Sequence, residues 1–360
     1  MNRFLMHTDI AFGKNATERL KDFDDAFIVC DSFFASSPLL DKVTCNLKKH
    51  SCFSDFTPDP TLKSVAKCIS EFKTRGHKCI IALGGGSAID TAKAVIYFSE
   101  PDKKIPFAAI PTTSGTGSEV TSFSVVTDDE SGRKFPLVDK KMLPDLAVLD
   151  VDFVKSVPKT VAADTGADVL SHALESYVAK DSSPFSDALC EKAISIIFSH
   201  LKSAVSGDIN SKEQVHFAST LAGMAFEQTN LGLCHAMAHN IGGRLKVPHG
   251  RANAILLPHI ILFNAGNPTY SSVPNSVSEK YAKLSMLLNH SGTVNVLVKK
   301  LVSDISALFS SIGLPEKFKS EKAEKITDVM AEAALKDGCI NGNPVPVTKD
   351  DIIKIYKGVI

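Results

Sequence analysis

Neither sign of charge predominates in this chain, which sets 40 Lys and Arg against 40 Asp and Glu. No basic stripe therefore marks it for nucleic acid, and no run of like charge marks it for an anionic membrane surface. Long hydrophobic runs are missing too. The longest, from Ala254 to Phe263, is interrupted by Pro258 and His259 and is too short and too polar to span a bilayer. The opening MNRFLMHTDI has no sustained apolar segment after Arg3, which speaks against a secretory signal and for a cytoplasmic protein. Eight cysteines are scattered without a single CxxC pair. A chain this long needs no disulfide staples, so they are read as reduced thiols. Internal repeats and low-complexity tracts are also missing.

What remains is an ordinary globular composition, 44% hydrophobic and 22% charged over 360 residues, long enough for two domains. Residues 1–157 alternate strand and helix patterns. AFIVCD (26–31) is an apolar run ending in an acid. Asp59-Pro60 is expected to open a helix, with Asp59 as N-cap and Leu62, Val65, Ala66, Ile69 and Phe72 along its buried face. Lys78 to Leu83 and Pro106 to Ile110 read as buried strands, with the helix Ser87 to Phe98 between them. This succession predicts a Rossmann-like α/β domain, a parallel sheet covered by helices. From residue 158 to 360 apolar residues recur at helical spacing, and an all-helical second domain follows. Pro268 to Ser278, rich in Ser, Pro and Asn, reads as an exposed loop.

Two loops in the first domain suit a phosphate-bearing ligand. Gly84-Gly85-Gly86-Ser87 joins a strand to a helix, where bare backbone N–H groups and the helix N-terminus favour an anion. It is not the GxGxxG fingerprint, and a tight turn without any ligand explains the glycines equally well. The loop Pro111 to Glu119 is dense in hydroxyls and glycines, including Thr112, Thr113 and Thr116. It suits the many acceptors of a dinucleotide, or else is a solvated cap for the element that follows.

The second domain carries a constellation. Asp168 and His172 stand four apart in GADVLSHALESYV, and His235 and His239 repeat the spacing in GLCHAMAHNIGG. Helical geometry puts each pair on one face. His249 follows in VPHG, on an expected turn. Any one of these residues is more often a satisfied surface or core group than a ligand, but two paired sets point to a metal. Position 236 is Ala, so the HExxH signature of zinc proteases and its general base are missing. Asp164 lies four before Asp168, yet Gly166 between them argues against one continuous helix. Cys234 reads as a buried thiol.

Taken together, GGGSAIDTAK (84–93), PTTSGTGSEVT (111–121), GADVLSHALESYV (166–178), AGMAF (222–226), GLCHAMAHNIGGRLKVPHGRANAILLPH (232–259) and NPVPVTKDDI (343–352) resemble the iron-containing (group III) alcohol dehydrogenase family. Within it the chain looks most similar to the short propanol dehydrogenases of bacterial propanediol-utilisation microcompartments. The resemblance implies a dinucleotide-binding domain over 1–157 and a metal and substrate domain over 158–360. It also implies hydride transfer between NAD(H) and a small primary alcohol or aldehyde. Carried over position by position, the metal ligands fall on Asp168, His172, His235 and His249. The histidine near nicotinamide and substrate falls on His239, a candidate proton relay. The pyrophosphate loop falls on Gly84, Gly85, Gly86 and Ser87, and further cofactor contacts on Thr112, Thr113, Thr116 and Lys134. Asp31 would accept the ribose hydroxyls and repel the extra phosphate of NADP. Phe226 falls on a wall of the substrate pocket.

Four protein ligands plus substrate exceed the four that zinc prefers, so the expected metal is Fe2+, with Zn2+ able to substitute in isolated protein. The resemblance further implies a homodimer or higher homo-oligomer and microcompartment association, although neither end carries a clear targeting helix. Three departures from the family pattern stand out: Asp59 where many relatives have Asn, Cys234 where bulkier or amide residues are usual, and the loop Pro268 to Ser278, which looks longer than in the propanol enzymes. Rival readings are a polyol dehydrogenase, a dehydroquinate synthase-like lyase, and a non-catalytic shell-associated protein.

Overall fold

The structure, a computed structural model, describes residues 4–99, 104–130, 134–266, 275–319 and 321–360. It divides into two compact units, Met1–Val157 and Pro158–Ile360.

The first unit is built on a six-stranded sheet in the order β1-β8-β5-β4-β2-β3, every pairing parallel. The strands are β1 (Asp9–Phe12), β2 (Asp25–Cys30), β3 (Lys49–Phe53), β4 (Cys79–Gly84), β5 (Phe107–Pro111) and β8 (Leu146–Leu149). Every residue of β4 and β5 is buried, which is why both read as unbroken apolar runs. Alternate residues feed opposite layers. Ile28, Ile81, Leu83 and Ile110 join one core with Phe34, Val43 and Phe153, while Phe27, Val29, Ile80 and Phe107 join the other with Phe72, Ile89 and Val95. The covering helices are the short α1 (Ser32–Ala35) and α2 (Leu39–Thr44), and the longer α3 (Leu62–Arg75) and α4 (Gly86–Phe98).

Local chemistry corrects two expectations in this unit. Asp59 does not cap α3. It lies in a left-handed turn at φ 61°, and Thr61 caps the helix through a reciprocal box with Ser64. Ala66 faces solvent, and Cys68 takes its place beside Val65 and Phe72 in the core. An antiparallel pair that was not expected, β6 (Phe123–Thr127) with β7 (Lys134–Val138), follows the Thr-rich loop.

The second unit is helical throughout its described residues: α5 (Lys159–Val178), α6 (Pro184–Ser206), α7 (Ile209–Thr229), α8 (Leu233–Leu245), α9 (His249–Asn264), α10 (Ser276–Leu287), α11 (Val294–Ser311), α12 (Glu321–Leu335) and α13 (Lys349–Val359). None of the described helices is long and apolar enough to cross a membrane. Gly166 does not break α5. A Cβ there would lie 2.1 Å from Leu201 Cδ1, so glycine serves close packing against α6. His249 is the first residue of α9, not part of a turn, and Pro258 is accommodated inside that helix. Of the loop expected over 268–278, residues 268–274 lie outside the described residues. Its last part is already helical, because Asn275 and Ser278 form the capping box of α10.

Candidate functional site

In the first unit the strand order itself marks a place for a ligand. The chain goes from β2 to β3 on one side and returns to β4 on the other. The carboxyl ends of β2 and β4 therefore diverge at a topological switch point, where open α/β sheets bind ligands. Asp31 follows β2 directly, and Gly84 to Ser87 carry β4 into α4. Asp31 Oδ2 accepts the Gly85 N–H at 3.1 Å. Burial raises the Asp31 carboxyl above its usual range, with that N–H pulling the other way. A Cβ on Gly84 would stand 2.4 Å from Asp31 Oδ2, so the missing side chain is what admits the acid.

The Thr-rich loop closes over the same turn. The Thr112 N–H donates to Gly84 O at 3.0 Å. A Cβ on Gly85 would meet Thr113 Oγ1 at 3.3 Å, and one on Gly86 would meet Thr116 Cγ2 at 2.9 Å. Ser87 Oγ accepts the Asp59 N–H at 3.3 Å, and Asp59 pairs with Lys134 Nζ at 2.6 Å. Lys93, on α4, anchors the loop from beneath by donating to Ser118 Oγ at 2.9 Å, Thr121 Oγ1 at 3.1 Å and Phe123 O at 2.8 Å. Its place in the glycine motif hid that task, which depends on a loop some 25 residues further on.

The second unit gathers side chains instead of backbone. At 3.6 residues per turn, Asp164, Asp168, His172 and Glu175 fall within an arc of about 80° on α5, a polar stripe on a helix that is almost wholly buried. Asp164 is held by Arg251 at 3.0 and 3.1 Å. Asp168 meets the first turn of α8 and the start of α9. Its Oδ1 lies 3.6 Å from His235 Nε2 and 3.4 Å from His249 Nε2. Ligands about 2.1 Å from a tetrahedral cation are themselves about 3.4 Å apart, so this spacing is that of one coordination sphere. The tight cluster consists of Asp168, His235 and His249. His172 stands beside it, its ring stacked at 4.5 Å on His235 and at 4.7 Å on Phe226 of α7. His239 stacks at 5.1 Å on His249, and its Nδ1 faces Asp337 Oδ2 at 2.9 Å.

Two further features test whether these residues suit a cation. First, the Asn253 amide nitrogen donates to Asp168 Oδ1 at 2.7 Å and lies 3.1 Å from both His235 Nε2 and His249 Nε2. An amide NH₂ has two hydrogens, yet three electron-pair donors converge on it. Second, the field is that of a cation site. Burial opposes ionisation of Asp168, but His172, His249 and His235 hold its carboxyl far below the usual range. Burial likewise opposes a charge on His235, yet Asp168 and Glu175 push it up to about 9. His249 is pushed down to about 3, by burial first, against the pull of Asp168. Positive charge is thus drawn to the space between Asp168 and His235 while a second imidazole stays neutral beside it. One carboxylate and three nearby imidazoles fit a divalent cation of intermediate softness.

Cys234 is buried, its thiol 3.4 Å from Asn253 Oδ1, and burial raises it well above the ordinary thiol range. Glu175, Asn253 and Asp337 carried no signal in the sequence: Glu175 and Asp337 owe their importance to partners 60 and 98 residues away, and Asn253, although four residues after His249, meets Asp168 across 85.

Comparison with known proteins gives the family. Residues 7–151 match the family model described as iron-containing alcohol dehydrogenase, and residues 162–360 match the C-terminal model of the same family. The chain is 39% identical over 378 residues to the 1-propanol dehydrogenase PduQ of Salmonella typhimurium, covering 100% of both chains. Among solved structures it is similar to a 1,3-propanediol oxidoreductase, with a TM-score of 0.91 and 31% identity over 100% of both chains. It is also similar to the sulfoacetaldehyde reductase of Bifidobacterium kashiwanohense in complex with NAD+. That TM-score is 0.87, at 26% identity over 100% of this chain and 98% of the other.

Proposed function

The chain belongs to the iron-containing alcohol dehydrogenase family and is an oxidoreductase, and we propose that it interconverts a small primary alcohol, of about propanol size, with its aldehyde, using NAD(H) and Fe2+. The observation that carries the reading is the convergence of Asp168, His235 and His249 from three separate helices onto one point. When bound, the cation supplies Lewis acidity towards the alcohol oxygen, and the nicotinamide supplies the hydride acceptor.

The protein's own share is positioning and proton handling. Asp168, His235 and His249 hold the cation, with His172 as fourth donor. Four protein donors plus substrate favour Fe2+ over Zn2+, which prefers four ligands in all. His239 is the group that accepts the alcohol proton. Its Nδ1 is committed to Asp337, which leaves Nε2 as the exchanging atom. Oxidation then balances as alcohol plus NAD+ giving aldehyde, NADH and one proton delivered towards solvent. Phe226 lines the space for the alkyl chain.

In the first unit, Gly84, Gly85, Gly86 and Ser87 receive the pyrophosphate at the start of α4, and Thr112, Thr113 and Thr116 supply hydroxyls around it. Lys134 contributes a cation at the same turn. Asp31 accepts the ribose hydroxyls and repels a 2′-phosphate, so NAD is preferred over NADP. A homo-oligomer, working in the cytoplasm within a propanediol-degrading microcompartment, completes the reading.

The test is anaerobic NADH oxidation against a panel of straight-chain aldehydes, with and without added Fe2+, and with NADPH in parallel. Turnover of propionaldehyde that rises with Fe2+ is the expected result. No turnover with any aldehyde would sink the reading.

A further inference from the structure

Glu175 is only 3% exposed, on α5 seven residues beyond Asp168. A buried carboxylate persists only if its oxygens are filled, and here they are filled from a single direction. Oε1 accepts the Cys234 N–H at 2.6 Å. Oε2 accepts the Gly232 N–H at 3.1 Å, the His235 N–H at 3.3 Å and the His235 ring Nδ1 at 2.6 Å. The backbone donors are the N-cap and first turn of α8, groups that no preceding helical turn can satisfy. Gly232 makes the approach feasible, since a Cβ there would lie 2.8 Å from Glu175 Oε1. One side chain therefore caps a helix and grips an imidazole on that helix at the same time.

We propose that Glu175 is a positioning residue that sets the affinity of the neighbouring cation site by fixing the tautomer and ring orientation of His235. The proposal rests on the reading of Asp168, His235 and His249 as metal ligands. An ionised carboxylate can only accept, so Nδ1 must carry the hydrogen, and once the ring is neutral, as a ligand must be, Nε2 presents its lone pair. That lone pair is the one aimed at Asp168 Oδ1 and His249 Nε2. The ring is thus spanned by two carboxylates of one helix, Asp168 on the Nε2 side at 3.6 Å and Glu175 on the Nδ1 side. A carboxylate in this position also raises the basicity of the ligating nitrogen, and removing such a partner typically costs about 10–100-fold in metal affinity.

A purely structural role, capping α8, is separated from this one by a second cap on the same turn. Asn343 Oδ1 accepts the Leu233 N–H at 3.2 Å and the Asn264 amide at 3.2 Å, away from the His235 ring. The experiment titrates metal-stripped full-length protein with Co2+, following its visible bands and binding stoichiometry, and measures the melting temperature of the stripped protein. Glu175→Gln is expected to weaken Co2+ binding about 10–100-fold and to alter the band shape. Asn343→Ala should lower the melting temperature while leaving Co2+ affinity within about threefold of wild type, which is under 1 kcal/mol. If Glu175→Gln does not fold, Glu175→Asp carries the test, since it keeps the charge but draws the oxygens back from Nδ1, and the same loss is expected. Wild-type Co2+ affinity in the Glu175 variant overturns the proposal, as does an equal loss in Asn343→Ala. No Co2+ binding to the wild type would instead bring down the metal reading on which the proposal stands.

Discussion

The glycine turn of the first unit and the histidine cluster of the second do opposite things with side chains. At the end of β4 the site is made of backbone, and it exists because atoms are missing: Gly84 admits Asp31, and Gly85 and Gly86 admit Thr113 and Thr116. On α5, α8 and α9 the site is made of charged and polar side chains, and it exists because atoms are present. The first kind fails when a methyl is added, the second when a donor is removed.

The largest effect should come from removal. His249→Ala is expected to leave almost no metal in the protein by elemental analysis and to cut turnover about 1000-fold, or roughly 4 kcal/mol of lost stabilisation. NADH affinity, read by fluorescence, should stay near wild type. Loss of NADH binding as well would erase the distinction between the two sites. Next comes addition. Gly84→Ala places a Cβ 2.4 Å from Asp31 Oδ2 and 2.5 Å from the Ala88 Cβ. Overpacking of this kind costs about 1–3 kcal/mol, here expected as up to a 100-fold rise in the NADH dissociation constant at unchanged metal content.

A mixed case sharpens the contrast. A Cβ on Gly250 would stand 1.9 Å from the Asp164 backbone oxygen, so Gly250→Ala should push the start of α9 off α5 and carry His249 away from Asp168. Metal affinity is expected to fall about tenfold, at the low end of that overpacking range, with every donor still in place. Unchanged affinity would mean that α9 absorbs the strain elsewhere. The smallest effect belongs to Asp31→Ser, which removes one charge that water partly screens. The kcat/KM ratio of NADPH over NADH should rise by no more than about fivefold, and an unaltered ratio would remove Asp31 as the selectivity group.

The same contrast explains what could be read beforehand. The parallel sheet was legible because β2, β4 and β5 are short apolar runs ended by an acid, glycines or a proline, and every one of those signals is local. Asp168 with His172, and His235 with His239, were visible as pairs because helical spacing is local as well. Glu175 was not, since the groups that give it meaning lie 57 to 60 residues away. Asp337 was silent for the same reason, with His239 98 residues away, whereas Asn253 stands at helical spacing from His249 and an amide in that place reads as an ordinary polar residue. Gly166 was misjudged because its propensity as a helix breaker is intrinsic, whereas its use against Leu201 is tertiary. Asp59 was misplaced because Asp-Pro imitates a helix start that Thr61, two residues later, makes better.

The stripe along α5 has a consequence for how this stretch can change over time. Each residue of a helix advances the azimuth by about 100°. A single codon gained or lost between Asp164 and Glu175 would turn one end of the stripe away from the other, parting Arg251's partner from His235's. Residues in that interval that face α6 or α7 can change only as far as their packing allows, Gly166 against Leu201 least of all, but its length cannot change at all.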